Sequence, residues 1–245
     1  MTDDSPMLLT GGAGRLGTEL RALLPGVVAP SEKAMDITDP PAIAAALDKY
    51  RPAMLIHAAA YTDVAGAETN KALCWRVNVE GTRNLVVEAM ARDIFFVHIS
   101  TDYVFEGTTG GYGEDDPVGP VCNYYALSKL AAEAVVRVLP RHLVIRTSFR
   151  PREWAYPVAF TDVYTSQDYV DVIAPMIAQV IGHAREIPYT TLHVATDRKS
   201  TYDLARRRRP DVQPGSKRTV AVRLPDDISM DVSRYQRLAA EWRDA

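Results

Sequence analysis

The stretch from Pro6 to Leu24 leaves this chain few ways to begin folding. PMLLT (Pro6 to Thr10) is a short apolar run of strand type, and Arg15 to Leu24 places Leu16, Leu20, Leu23 and Leu24 on one side of a helix. Between them Gly11, Gly14 and Gly17 fall at G-x-x-G-x-x-G spacing, with Gly12 in addition. One glycine makes the tight turn, one lets the backbone approach a pyrophosphate, and one lets helix and strand pack closely. The helix start adds unpaired N–H groups and a positive dipole end. An ordinary glycine-rich connection is the plainer alternative, and the strand before and helix after favour the anion-binding reading. No Lys-Ser/Thr pair follows the glycines, which argues against a nucleotide triphosphatase.

Strand-like and helix-like stretches go on alternating. Val27 to Ala29 reads as a second strand, and Pro40 and Pro41 open a helix to about Tyr50 with Asp39 as its N-cap. AMLIHAAA starts a third strand, and a long helix covers about Asn70 to Met90. Ile94 to Ser100 is a fourth strand, apolar enough to be buried on both faces. After the acid-rich loop GTTGGYGEDDP come a helix from about Tyr124 to Leu139 and a strand from His142 to Ser148. This order predicts an α/β Rossmann fold, a doubly wound parallel sheet with ligands at the carboxyl ends of its strands.

Residues 1–149 are expected to form the dinucleotide-binding domain. Residues 150–245 are expected to form a small C-terminal substrate-binding lobe interleaved with that core. In the lobe, helices are expected around Val170 to Ile181, at STYDLARRRR and at DVSRYQRLAAEW, and TTLHV suggests a strand.

Charge and composition remove several function classes. A net charge of −3 gives no general drive toward nucleic acid. The run Arg206 to Arg209 ends a predicted helix, where cations suit the dipole. No apolar run reaches transmembrane length, and the acidic opening MTDDSPM is unlike a signal peptide, so a cytoplasmic protein without a membrane partner is expected. Cys74 and Cys122 have no metal-type spacing, and His57 and His98 sit in apolar strands as core histidines, so no metal is expected.

The chemistry gathers at strand ends. Thr101 follows the fourth strand in STDYVF, where its hydroxyl can reach a substrate oxygen. Tyr125 and Lys129, in YYALSK, are four apart on a helix and share one face. An ammonium beside a phenol favours the phenolate and is expected to lower the tyrosine pKa toward the range for proton transfer. The group suits ketone reduction, with hydride from a nicotinamide, a proton from Tyr125, and Lys129 on the ribose. Y-x-x-x-K alone is weak; after STDYVF, in a chain opening on TGGAGRLG, it is strong.

TGGAGRLG, DITDP, HAAAYTDVAGAE, NVEGTRNL, ISTDYVFEG, YYALSKLAAE, VIRTS and RLPDDISMDVSRY together resemble the extended short-chain dehydrogenase/reductases, most closely the dTDP-4-dehydrorhamnose reductases. The resemblance covers most of residues 7–149 and a C-terminal patch. It implies reduction of a nucleotide-activated 4-keto-6-deoxy sugar by NADPH or NADH through Thr101, Tyr125 and Lys129. The cofactor would lie along Gly11, Gly14, Arg15, Leu16 and Gly17, with Asp36 and Ile37 by the adenine. Ala58, Ala59, Ala60 and Ser100 would lie along it, and Asn78 would support it.

Near the second strand, Ser31 and Lys33 suit a 2′-phosphate and Glu32 a free ribose; the balance favours NADP, with NAD open. The candidate substrate contacts are Tyr61, Asp102, Tyr103, Asn123, Phe149 and Arg150, with Asp102 and Tyr103 equally readable as loop-shaping. Arg150, Arg152, Tyr156 and Tyr164 could face a sugar nucleotide, or be solvated arginines and core tyrosines. The family's Thr-Ser-Trp is Thr147-Ser148-Phe149 here, and the segment after it departs from the family pattern. A non-catalytic NADP-binding regulatory subunit and a sugar-nucleotide epimerase remain the alternatives, and a homodimer is left open.

Overall fold

The computed structural model describes residues 6–220 and 224–244; the acidic opening MTDDS and Arg223 of the C-terminal patch lie outside them. Five parallel strands form the central sheet in chain order: β1 (Met7–Thr10), β2 (Met54–His57), β3 (Phe95–Thr101), β4 (His142–Thr147) and β5 (Thr191–His193). Along the chain the main helices are α1 (Arg15–Leu23), α2 (Pro40–Tyr50), α3 (Lys71–Trp75), α4 (Thr82–Ala91), α5 (Tyr124–Val136), α6 (Val170–Gly182), α7 (Thr201–Arg206) and α8 (Ser233–Asp244).

The pleat sorts the strand residues into two cores. Leu8, Leu55, Phe96 and Val144 pack with Ile43, Leu47, Leu85 and Val136 of α2, α4 and α5. Leu9, Ile56, Val97 and Ile145 pack on the opposite face with Leu16, Leu20, Ile173, Ile177 and Leu238 of α1, α6 and α8. Both faces of β3 are therefore covered, as its largely apolar sequence leads one to expect: every residue from Phe95 to Thr101 is buried.

Two elements differ from the sequence reading. Val27 to Ala29 narrows to a single parallel bridge, Val28 to Leu8, on the outer side of β1. Gly26 (φ 77°) precedes it and Pro30 follows, leaving no room for a longer ladder. The chain then crosses over β1 to β2 on the other side, so the strand order reverses at the carboxyl ends of β1 and β2, where such sheets place a ligand. The long helix is broken into α3, a π-helical segment Arg76–Gly81, and α4. A π segment of this kind adds a residue to the turn and often lies beside a site.

After Arg150 the chain does two jobs. Residues of α6 and β5 return to the central sheet. The remainder forms three two-stranded ladders: Phe149–Arg150 with Asp168–Tyr169, Val158–Phe160 with Gln213–Gly215, and Tyr164–Thr165 with Lys199–Ser200. Trp154, Ala159, Tyr169, Leu204 and Val212 make their small core. The arginine run stays at the exposed end of α7, with two members paired: Arg207 reaches Asp168 at 2.7 Å and Arg208 reaches Asp171 at 2.8 Å. Among the described residues, no helix is long and apolar enough to cross a membrane.

Candidate active site

A cleft of about 640 Å³ opens at the reversal point, walled by the glycine turn, the loop 30–38, the end of β2 and the end of β3. The turn is tight: Gly14 N–H donates to Gly11 O at 2.9 Å, and Gly11 adopts φ 72°, in the left-handed region that favours glycine. A Cβ on Gly17 would stand 2.1 Å from Gly11 O, so only glycine lets α1 start this close to β1. Gly14 caps α1 without a side-chain hydrogen bond, which leaves the first-turn N–H groups facing the cleft. Behind the turn, His57 is held by Thr10 Oγ1 (2.8 Å) and Thr82 Oγ1 (2.9 Å), and burial pushes it down to about 3, so it stays neutral.

Most expected cofactor residues line this cleft: Gly11, Gly14, Arg15, Leu16, Gly17, Ser31, Asp36, Ile37, Ala58, Ala59, Ala60, Ser100, Tyr125 and Lys129. Lys33 does not line it, whereas its neighbour Glu32 does. Asn78, on the π segment, is buried behind the wall. Its amide accepts from Tyr61 N (2.7 Å) and donates to Ser128 Oγ (2.9 Å), pinning the loop after β2 to α5. Gly12 of the glycine motif also lines the cleft, as do Thr38, Arg76, Thr147 and Ser148, which were not singled out as site residues from sequence. The Thr-Ser pair ending β4 was the available signal for the last two.

A second cavity of about 450 Å³ adjoins the cleft, and Tyr103 and Ser148 line both. Its other walls include Asp102, Arg150, Trp154, Tyr156, Phe160 and Ile228. The Arg150 guanidinium lies over the Trp154 ring at 4.5 Å. Of the expected substrate contacts, Asp102, Tyr103 and Arg150 line this cavity and Phe149 lines the cleft, while Tyr61 and Asn123 line neither. Asn123 instead caps α5, its Oδ1 accepting from Ala126 N at 2.8 Å, which sets the start of the helix carrying Tyr125. Arg152 pairs with Glu19 on α1, and Tyr164 lies under Arg198. Neither lines either cavity.

Thr101, Tyr125 and Lys129 come together where the two cavities meet. The Thr101 hydroxyl accepts from Tyr103 N (3.2 Å) and donates to Asp102 Oδ1 (3.0 Å). Tyr103 stands edge-on to Tyr125, ring centres 6.1 Å apart. The expected lowering of the Tyr125 pKa is overturned. Burial pushes the phenol well above its ordinary value, with Asp102 and Tyr103 adding and a hydrogen bond with Thr101 opposing. Lys129 does not offset this because its ammonium is engaged elsewhere, donating to Ile99 O at 2.7 Å. Burial lowers Lys129 to about 8, with Glu133 and Cys74 opposing.

Beneath this group lies a buried ion pair absent from the sequence reading. Glu133 on α5 accepts from Arg146 Nε (3.0 Å) and Nη2 (2.9 Å) and from Ser100 Oγ (2.6 Å). The acid-rich loop is anchored beside it, with Glu114 Oε1 accepting from His193 N at 3.1 Å.

Fold and site together describe a dinucleotide-fold α/β protein with a hydroxyl, a phenol and an ammonium at the mouth of its sheet. The comparisons agree. Residues 5–154 match the RmlD substrate binding domain, and the chain belongs to that family. It is 39% identical over 148 residues to dTDP-4-dehydrorhamnose reductase of Streptomyces griseus, covering 58% of this chain and 49% of that one. It is 35% identical over 189 residues to dTDP-4-dehydrorhamnose reductase of Mycobacterium tuberculosis, covering 73% and 57%. A crystal structure of dTDP-4-dehydrorhamnose reductase from Bacillus anthracis in complex with NADP superposes with a TM-score of 0.83 at 27% identity, over 96% of this chain and 91% of that one. The chain thus spans about half to three-fifths of the length of the curated relatives it matches first.

Proposed function

We propose that the protein is an NADPH-dependent reductase of a nucleotide-activated 4-keto-6-deoxy sugar. The observation that carries this reading is that Thr101, Tyr125 and Lys129 line the glycine-turn cleft where it meets a second cavity, through Tyr103 and Ser148. The glycine turn fits a dinucleotide, since the space a Cβ would fill at Gly17 is closed by Gly11 O and the first turn of α1 is left open to an anion. The backbone of residues 11–17 would hold the pyrophosphate, Asp36 and Ile37 the adenosine half, and Ser100 and Lys129 the other half.

When bound, NADPH supplies a hydride to the ketone carbon. Tyr125 then provides the proton to the ketone oxygen. Its elevated pKa keeps the phenol protonated at neutral pH, and therefore ready to donate. Thr101 orients the same oxygen. Lys129, held by Ile99 O, places a positive charge near the reacting end. In the second cavity, Arg150 faces the substrate diphosphate, and Trp154 and Tyr156 offer flat apolar surface to the sugar or base. The lobe after residue 150 is thereby assigned the choice of substrate. Of its departures from the family pattern, the segment after Phe149 contributes Arg150, Trp154, Tyr156 and Phe160 to this cavity.

The test is to incubate the protein with NADPH and a panel of dTDP- and UDP-linked 4-keto-6-deoxy sugars, following the absorbance of reduced cofactor, with NADPH binding measured separately by fluorescence. Oxidation with at least one member supports the reading. NADPH binding without oxidation of any member would instead favour a non-catalytic NADP-binding subunit.

A further inference from the structure

Asp102 is a carboxyl group in an unusual place. It is 1% exposed, directly follows Thr101, and lines the second cavity between Tyr103 and Arg150. Its Oδ1 accepts from the Thr101 hydroxyl at 3.0 Å, and the Ser148 hydroxyl, lining the same cavity, also favours its ionised form. A threonine hydroxyl has one hydrogen and two lone pairs. Thr101 already accepts from Tyr103 N at 3.2 Å, and the protonated Tyr125 phenol is its other neighbour until a ketone oxygen draws that phenol away. The single hydrogen of Thr101 is therefore the only means by which it can donate to a substrate oxygen. While Asp102 is ionised it can only accept, and it claims that hydrogen.

We propose that Asp102 is a positioning residue that sets the donor direction of Thr101, its neutral form releasing the hydroxyl to donate to the reacting oxygen. The inference deepens the ketoreductase reading and rests on it. The neutral acid carries one hydrogen, and one of its two hydroxyl neighbours must turn to accept it. A ketone oxygen beside Thr101 decides which, because it gives the Thr101 hydrogen another acceptor. The reacting oxygen then receives a hydrogen bond from Thr101 as well as the proton of Tyr125. With Asp102 ionised it receives the proton alone.

Burial pushes the Asp102 carboxyl up to about 6, against the hydrogen bonds from Ser148 and Thr101, so both forms are reached near neutral pH. The titratable groups facing it are Tyr103, Tyr125 and Arg150. Burial raises both phenols, which stay neutral through this range, and the guanidinium stays charged. Lys129, lowered to about 8, titrates higher and would give a separate limb.

The experiment has two arms. In the first, kcat at saturating NADPH and keto sugar nucleotide is followed from pH 5.5 to 7.5 for the native protein and Asp102→Asn. The native value is expected to fall as pH rises through about 6, by up to roughly tenfold per pH unit. Asp102→Asn should lose that limb, whatever its absolute rate. A limb that survives in Asp102→Asn overturns the proposal.

The second arm needs no turnover. A difference infrared titration of the native protein follows the neutral-carboxyl band, assigned by its loss in Asp102→Asn or, where that variant does not fold, by its shift in Asp102→Glu. Thr101→Val removes a donor to the carboxylate and should move the midpoint upward by about half a unit or more. An unchanged midpoint in Thr101→Val, checked for native circular dichroism, overturns the proposal even if Asp102→Asn does not fold. If no keto sugar nucleotide is reduced by the native protein, the ketoreductase reading fails. The infrared arm still decides whether Asp102 and Thr101 are coupled.

Discussion

Replacing Glu133 with alanine should cost this protein a large part of its stability. The Glu133 side chain is 1% exposed and that of its partner Arg146 2%. Both guanidinium bonds to it are about 3 Å long, and Ser100 adds a third donor. Glu133→Ala leaves the guanidinium with long contacts to Glu114 O (3.4 Å) and His193 Nε2 (3.5 Å) and the Phe105 ring at 5.1 Å, none of them a counter-charge. Removing one partner of a buried ion pair costs about 3–5 kcal/mol, a third or more of the total stability of many domains. At about 2–4 °C per kcal/mol for a chain of this size, the melting temperature should drop by roughly 6–20 °C. The double replacement Glu133→Leu with Arg146→Met removes both charges and should cost less than the two single changes added together.

The pH dependence carries a sign. Burial pushes Glu133 up, but the bonds from Arg146 and Ser100 outweigh it and hold the carboxyl below the ordinary glutamate range. A lowered native pKa means that the stabilisation is full above the unfolded value near 4.5 and is lost as pH falls through the native value. Urea denaturation followed by circular dichroism, at pH 7 and at several points below pH 4.5, measures both effects. A Glu133→Ala variant within about 1 kcal/mol of native at pH 7 would refute the buried-pair reasoning.

Two further substitutions probe the cavities. Gly17→Ala drives a Cβ to 2.1 Å from Gly11 O and 2.7 Å from Gly12 Cα, both backbone, so the turn must open. NADPH affinity, read by fluorescence titration, should fall at least about tenfold; unchanged affinity would show that the turn does not hold the cofactor. Arg150→Ala removes the guanidinium from the second cavity. Charge-assisted bonds of about 1.5–3 kcal/mol predict a KM for the keto sugar nucleotide raised by roughly 10- to 150-fold, with NADPH binding unaffected. Equal KM values in steady-state assays would place the diphosphate elsewhere.

Features written in local patterns were legible from sequence. The strand, glycine turn and helix of the first twenty-four residues appear where the apolar spacing put them, and the double proline opens α2 at Pro40. The mostly apolar stretch Ile94 to Ser100 announced that both faces of β3 are covered. Features that depend on long-range packing were not. The second strand shrank to one bridge because Gly26 and Pro30 hem it in, a competition at the sheet edge that composition does not show. Spacing alone put Tyr125 and Lys129 on one face, but the destination of the Lys129 ammonium depended on Ile99 O, thirty residues away. Glu133 and Arg146 lie thirteen residues apart on different elements, with no motif joining them. The second cavity draws its walls from scattered positions between Asp102 and Ile228, and only the folded lobe brings them together.

In the proposed reaction the Tyr125 phenol delivers the proton where the two cavities meet. Single-turnover oxidation of bound NADPH by the keto sugar nucleotide, compared between native protein and Tyr125→Phe, addresses it most directly. A loss of about 10²–10⁴-fold in rate is predicted, with the dissociation constant of NADPH unchanged within about threefold. A Tyr125→Phe protein that oxidises NADPH at the native rate would rule out Tyr125 as the proton donor.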